Sequence, residues 1–217
     1  MKNKKHPIVA MLMAAPLIYL AIVWSGLPQT IPVHFNLQGT ADRYGSKNTL
    51  LIAMLVVSIV NGLLYLLLCN MYRFDPKKRA IENKSQLQNI AFAVTLFMAG
   101  IQIWIIYISG TKEHLLSVRF VLTGVCILFS ILGNYMYNIK PNYFAGLRLP
   151  WTLENEDNWR KTHHYASRLW FGGGLVAALF CLVTPSSFSI FILVAMVLIM
   201  IILPTLYSYR LYKRMKV

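Results

Sequence analysis

The sequence predicts an all-α integral membrane protein with six transmembrane helices, and three observations carry that expectation. Of its 217 residues 57% are hydrophobic and only 13% are charged, against about 25% charged in soluble domains. Apolar runs recur that are each long enough to cross a bilayer as a helix. The basic residues gather in the segments between those runs or close to their ends. A net charge of +14 would point to nucleic acid in a soluble chain. Here the positive-inside bias and attraction to anionic lipid account for it, and no direct nucleic-acid partner is expected.

In chain order, Lys2, Lys4 and Lys5 precede the run Ile8 to Trp24 as in a signal peptide. The run is longer than such a region and lacks a small-residue cleavage site, so it reads as a retained first span. The six spans are expected near 8–26, 50–71, 90–109, 117–137, 166–184 and 187–209. None carries Asp, Glu or Lys in its central part, while Arg119 and Arg168 lie near span ends, where long side chains reach the interface. Pro16 and Pro204 fall inside the first and last spans, so neighbouring spans must satisfy the carbonyls they free. Cys69, Cys126 and Cys181 sit in or beside apolar runs with no metal-ligand spacing and read as small buried hydrophobes. No metal or cofactor is implied.

Counting Lys and Arg on the two sets of connecting segments gives seventeen against four. That asymmetry places both termini, the basic loop 72–89 with its Asp75-Pro76 turn, and the segment 138–168 in the cytoplasm, with loop 27–49 outside. The whole chain, 1–217, reads as one membrane domain with two polar stretches.

The outer stretch runs from Leu27 to Lys47. Pro28 and Pro32 keep it out of a helix, and Val33, Phe35 and Leu37 alternate with His34, Asn36 and Gln38 as in a short strand with one apolar face. Gly39 and Gly45 suit turns, and Ser46 or Asn48 suits the cap of the second span. His34, Phe35, Asp42, Tyr44 and Lys47 are the binding candidates here. His34 reads as a structural imidazole bonded to the loop's own backbone, with metal binding or pH sensing as the alternative.

The inner stretch, Asn142 to His164, holds three of the chain's seven acidic residues, two of its five tryptophans and two of its five histidines. Pro141 and Pro150 bracket an extended run with Gly146 in its middle. Arg148, between two leucines, calls for a partner, with Glu154, Glu156 and Asp157 as candidates. A helix is expected from Thr152 or Asn155, with Trp159, His163, Ala166 and Trp170 on one stripe, lying along the interface before it turns into the fifth span. Trp151 and Trp159 read as interfacial anchors. Gly172-Gly173-Gly174 marks a kink or a close crossing, and Gly124 and Gly133 suit packing within the chain or between copies.

These two stretches resemble a known family. Asn142-x-Phe144-x-Gly146-x-Arg148-x-Pro150-Trp151-Thr152-x-x-Asn155-x-x-x-Trp159-x-Lys161-Thr162 is similar to the signature of the SdpI family of bacterial membrane proteins. The outer loop, with Leu27-Pro28, Ile31-Pro32-x-His34-Phe35, Gly39 and Asp42-x-Tyr44-Gly45-Ser46-Lys47, resembles the domain of unknown function that often precedes it. The family's usual Arg-Thr step reads Arg148-Leu149 here. The resemblance implies a non-enzymatic immunity role in the cytoplasmic membrane, protecting a cell from a secreted toxin peptide that acts on the membrane. It also implies signalling in which the toxin-bound protein holds a transcriptional repressor at the membrane. The inner candidates are Asn142, Phe144, Gly146, Arg148, Pro150, Trp151, Asn155, Trp159 and Lys161.

Two other classes stay open on the residues alone. A transporter usually places ionisable groups along a pathway, whereas these spans offer Asn61, Gln102 and Asn134. A membrane enzyme built from Glu156, Asp157 and His163 lacks an accompanying nucleophile or zinc signature. Oligomeric state is not indicated.

Overall fold

The computed structural model describes residues 5–36, 40–74, 79–111 and 117–215. Seven α-helices and one β-hairpin make up the described chain: α1 (Lys5–Val23), β1 (Thr30–Phe35), β2 (Ala41–Ser46), α2 (Lys47–Asn70), α3 (Lys84–Ser109), α4 (Ser117–Met136), α5 (Pro150–Glu154), α6 (Glu156–Val183) and α7 (Ser186–Met215). All but the short α5 are long and apolar enough to span a bilayer. The protein is a multi-pass, all-α membrane protein. Many of its leucines, isoleucines and phenylalanines face outward along the spans, where lipid replaces water as solvent.

The helices pack as two groups of three. Leu20, Leu27, Ile31, Leu50, Met54 and Ile106 close one end of the α1–α2–α3 group, and Val9, Tyr65, Cys69 and Ala91 close the other. The α4–α6–α7 group is centred on Cys126, Ala177, Ala178, Cys181, Met196 and Met200. In lipid no hydrophobic force draws helices together, so close approach at small residues does the work. A Cβ on Gly133 would lie 2.7 Å from the Phe171 backbone nitrogen, and one on Gly174 2.8 Å from the Cys126 carbonyl. The Ser130 hydroxyl donates to the Phe171 carbonyl at 2.9 Å across the same seam. The glycine run thus marks a close crossing inside an unbroken helix. Gly133 serves packing within the chain.

The two groups meet along α3 and α4, where a cleft of about 610 Å³ remains between Phe92, Phe97, Leu128 and Ile131. At one end a buried side chain ties them: Asn83 donates to the Lys140 carbonyl at 3.0 Å and accepts from the Lys140 N–H at 2.8 Å.

Several expected boundaries move. α3 starts at Lys84, so the basic loop is shorter than 72–89, and its Asp75-Pro76 turn lies outside the described residues. The expected amphipathic helix and the fifth span are one rod of 28 residues, α6. At about 1.5 Å per residue an untilted rod of this length exceeds a hydrocarbon core of about 30 Å. Asn155 is its cap, accepting from the Asn158 N–H at 2.8 Å, and Glu156 and Asp157 sit at the positive end of its dipole. Pro204 interrupts α7, and the carbonyl it frees, that of Met200, accepts from Trp170 Nε1 at 3.0 Å. Arg119, near one end of α4, donates to the Leu182 carbonyl at 3.4 Å.

The crossing yields a test. Gly133→Ala should destabilise the protein by about 1–3 kcal/mol through overpacking against backbone. Gly172→Ala, whose Cβ meets nothing within 4 Å, should leave the melting temperature in detergent unchanged or slightly raised. Equal melting of the two variants would mean that the seam is not a tight one.

Candidate functional sites on two opposite faces

Connectivity puts the hairpin and the inner stretch on opposite faces, since one follows the first span and the other follows the fourth. The hairpin is an antiparallel pair in register Thr30↔Ser46, Ile31↔Gly45, Pro32↔Tyr44, with a bulge around Val33. Ile31, 1% exposed, plugs its root into the α1–α2–α3 group. Val33 is 40% exposed, so the expected apolar face of Val33, Phe35 and Leu37 gives way to a single anchor at Ile31; Leu37 and Gly39 lie outside the described residues. Gly45 makes no turn. It sits within β2, where a Cβ would meet Val33 Cγ1 at 2.9 Å. Ser46 occupies the α2 cap position without a side-chain bond to backbone; its hydroxyl lies 3.4 Å from that of Thr49.

Of the hairpin candidates, His34 and Asp42 are brought together: Nδ1 of the imidazole lies 2.6 Å from the Asp42 carboxylate, and both are exposed. The expected partner of His34 was backbone; the structure supplies a carboxylate instead. Tyr44 stands 57% exposed, and Phe35 is half-buried. Lys47 turns away from them, with its ammonium 4.9 Å over the Trp24 ring and 3.4 Å from the Trp24 carbonyl. No cluster of three or more metal-ligating side chains occurs among the described residues.

On the other face, the segment between α4 and α5 has no regular secondary structure, yet its polar groups are met by side chains. Asn142, 1% exposed, accepts from the N–H groups of Phe144 at 2.8 Å and Ala145 at 2.7 Å. Its amide donates to the carbonyls of Lys140 and Ala145. Gly146 has φ +101, a left-handed geometry that disfavours a side chain, and a Cβ there would fall on His163 Nε2. The next N–H, that of Leu147, donates to that Nε2 at 2.9 Å, while the other ring nitrogen lies 2.8 Å from the Trp159 carbonyl. A carbonyl only accepts, so Nδ1 carries the proton and the ring is neutral. Trp159 stacks on His163 at 3.9 Å and donates Nε1 to the Ile139 carbonyl at 2.8 Å.

Farther along, the Leu149 N–H donates to the buried Thr152 hydroxyl at 2.9 Å, and that hydroxyl lies 2.8 Å from the Leu147 carbonyl. Pro150 opens α5, where a missing N–H costs nothing. Trp151 donates to Ser208 of α7 at 2.9 Å; Ser208 donates to Asn158 at 2.8 Å, as does Thr162 at 2.9 Å. This buried chain of bonds ties α5, α6 and α7 together.

Two expectations change here. Arg148, exposed, pairs with none of the expected acids and donates to the Tyr143 carbonyl at 2.8 Å. Asp157 is taken by Arg160 at 2.7 Å and Lys161 at 2.6 Å. Trp159, 1% exposed, is a core residue and not an interfacial anchor. Trp151 keeps a partly open edge beside Tyr209 and Tyr212. The network members Asn83, Asn158 and Ser208 were not singled out from sequence; the step Asn158 to Thr162, one turn apart on the stripe side, was the available signal. An open cavity of about 400 Å³ lies beside this network, lined by Tyr137, Lys140, Glu156, Arg160 and His164, with Tyr137 and His164 stacked at 4.0 Å.

Chemically the inner face is a scaffold. Both nitrogens of His163 are engaged, so it offers no free base. Asn142→Ala should cost about 2–4 kcal/mol, because it orphans buried backbone groups at several positions. Arg148→Ala should cost less than about 1 kcal/mol, since it loses one exposed bond. Melting and limited proteolysis of residues 140–149 would check both; equal costs would contradict the assigned roles.

Comparison with known proteins fits this division. The profile of the SdpI/YfhL protein family matches residues 138–208, and that of a domain of unknown function, DUF1648, matches residues 11–59. The chain is 26% identical over 212 residues to the immunity protein SdpI of Bacillus subtilis, covering 98% of each. It is 38% identical over 50 residues to an uncharacterized protein of Archaeoglobus fulgidus, covering 23% of this chain and 27% of that one. No solved structure matches. The first profile spans the side-chain-held loop together with α5, α6 and most of α7, the second spans most of α1, the hairpin and half of α2, and the inner stretch with the helices that follow it is similar to the SdpI/YfhL family.

Proposed function

We propose that the protein confers immunity to a secreted peptide toxin that acts on the membrane, working from the bacterial cytoplasmic membrane with both termini inside. The observation that carries this reading is similarity along 98% of the chain to a protein named for immunity. That relative is not named as an enzyme, and the fully engaged His163 and Asp157 suit a binding role. The distribution of seventeen basic residues against four supports the orientation. The hairpin then faces outward, and its exposed His34, Asp42 and Tyr44, with half-buried Phe35, form the surface that meets the toxin, Lys47 fixing its root. Toxin contact at this root presses on Ile31 and so on α1, α2 and α3.

The inner face, with Asn142, Phe144, Gly146, Pro150, Trp151, Asn155 and Trp159 shaping the loop and Arg148 and Lys161 exposed on it, is the surface for a cytoplasmic partner. A transcriptional repressor held at the membrane is the partner that the family resemblance implies. No cofactor takes part in this reading.

The test is survival of a sensitive bacterium carrying this chain, challenged with a panel of secreted membrane-acting peptide toxins at matched membrane levels. Protection should exceed the empty-vector control several-fold for at least one toxin. The double variant His34→Ala, Tyr44→Ala should lose it while melting normally, because both side chains are exposed. Protection that survives this double variant would remove the hairpin from recognition. No protection at good expression would overturn the immunity reading.

A further inference from the structure

Buried polar groups within about one helical turn of depth in the α1–α2–α3 group have no partner. Asn61 of α2 is 1% exposed, and both its Oδ1 and its Nδ2 lack a hydrogen bond. Thr95 of α3 is equally buried, and its hydroxyl also lacks one. The register between the helices sets their relative depth. Ser58 donates to Gln102 at 2.9 Å, Tyr65 and Cys69 pack with Ala91, and Leu50 and Met54 pack with Ile106. Opposite Asn61 therefore fall residues 97–99, with Thr95 about one helical turn away.

The third helix adds a group at the level of Thr95. Val9 packs with Ala91 and Leu20 with Ile106, so Leu12 of α1 lies level with Thr95. Pro16, buried inside α1, deprives the Leu12 carbonyl of its intrahelical N–H. The equivalent loss in α7 is made good by Trp170. In α1 the same loss coincides with an orphaned amide and an orphaned hydroxyl on the two facing helices.

We propose that one or two water molecules occupy this level, bridging Asn61, Thr95 and the Leu12 carbonyl. Water fits the set because it both donates and accepts: Nδ2 needs an acceptor, the two oxygens need donors, and a hydroxyl serves either way. A buried water takes roughly two to four polar partners, which these groups supply. A bare cation would satisfy the oxygens and leave the amide N–H groups facing a positive charge. The hydrated level lies between the apolar clusters that close the two ends of the group, on the span side of the hairpin.

Radiolytic hydroxyl labelling of the full chain in nanodiscs tests this, because bound water generates radicals at buried sites. Tyr65, one turn from Asn61 and 7% exposed, is the reporter, and exposed Tyr44 is the internal reference. Tyr65 should label strongly for its burial, and Asn61→Leu should reduce that labelling several-fold relative to Tyr44. Thr95→Val, which keeps the side-chain volume, should reduce it part of the way and guards against misfolding of the first variant. Labelling of Tyr65 that neither variant changes would overturn the proposal. A melting temperature that rises with sodium over choline at constant ionic strength, and loses that rise in Asn61→Leu, would overturn it in favour of a cation.

Discussion

The bond from the Leu147 N–H to His163 Nε2 meets a constraint on which the inner half of this protein depends. Backbone that leaves a helix and is then buried must find its hydrogen-bond partners within the protein. Between Met136 and Pro150 the chain does so through side chains that are themselves locked. Asn142 satisfies four backbone groups, Trp159 holds the Ile139 carbonyl, and His163 receives the loop where Gly146 lets it come close. The conspicuous polar residues of this stretch are thus largely scaffold. What they leave exposed is a basic rim of Arg148, Arg160 and Lys161.

The same constraint acts on the prolines within the spans. Pro204 has a local remedy in Trp170, and the α4–α6–α7 group is tightly crossed at Gly133 and Gly174. The α1–α2–α3 group holds Asn61 and Thr95 inside without a partner. The hairpin is rooted in that group through Ile31. The rigid loop is rooted in the other, and Asn83 with Lys140 is a link between them on the loop's face. A signal received at the hairpin would have to cross α3 and α4, where the packing is loose enough to leave a cleft.

Much of this was legible in the sequence because it rests on local rules. Span count follows from apolar run length, the α6 start from an Asn followed by two acids, and the stripe of Trp159, His163 and Ala166 from helical spacing. The loop geometry around Gly146 was flagged by a glycine between prolines. What escaped were long-range choices among local equals. Arg148 had three carboxylates within nine residues and took a backbone carbonyl, because Asp157 faces Arg160 and Lys161 on its own helix. Asn83, Asn158 and Ser208 look like ordinary polar residues until folding buries them together. Val33 reads as a strand's inward face, but the bulge in β1 leaves Ile31 to do the anchoring. The hairpin's His34–Asp42 pair was foreseeable only as a neighbourhood, since its contact depends on strand register.

The proposed recognition and relay both depend on the proposed orientation, with the hairpin outside the cell and the side-chain-held loop inside. Labelling of single introduced cysteines with a membrane-impermeant maleimide in intact cells tests it most directly. The native Cys69, Cys126 and Cys181 are all buried. Tyr44→Cys should label in intact cells, and Lys161→Cys only after permeabilisation. The reverse pattern, or labelling of both in intact cells, would contradict the account.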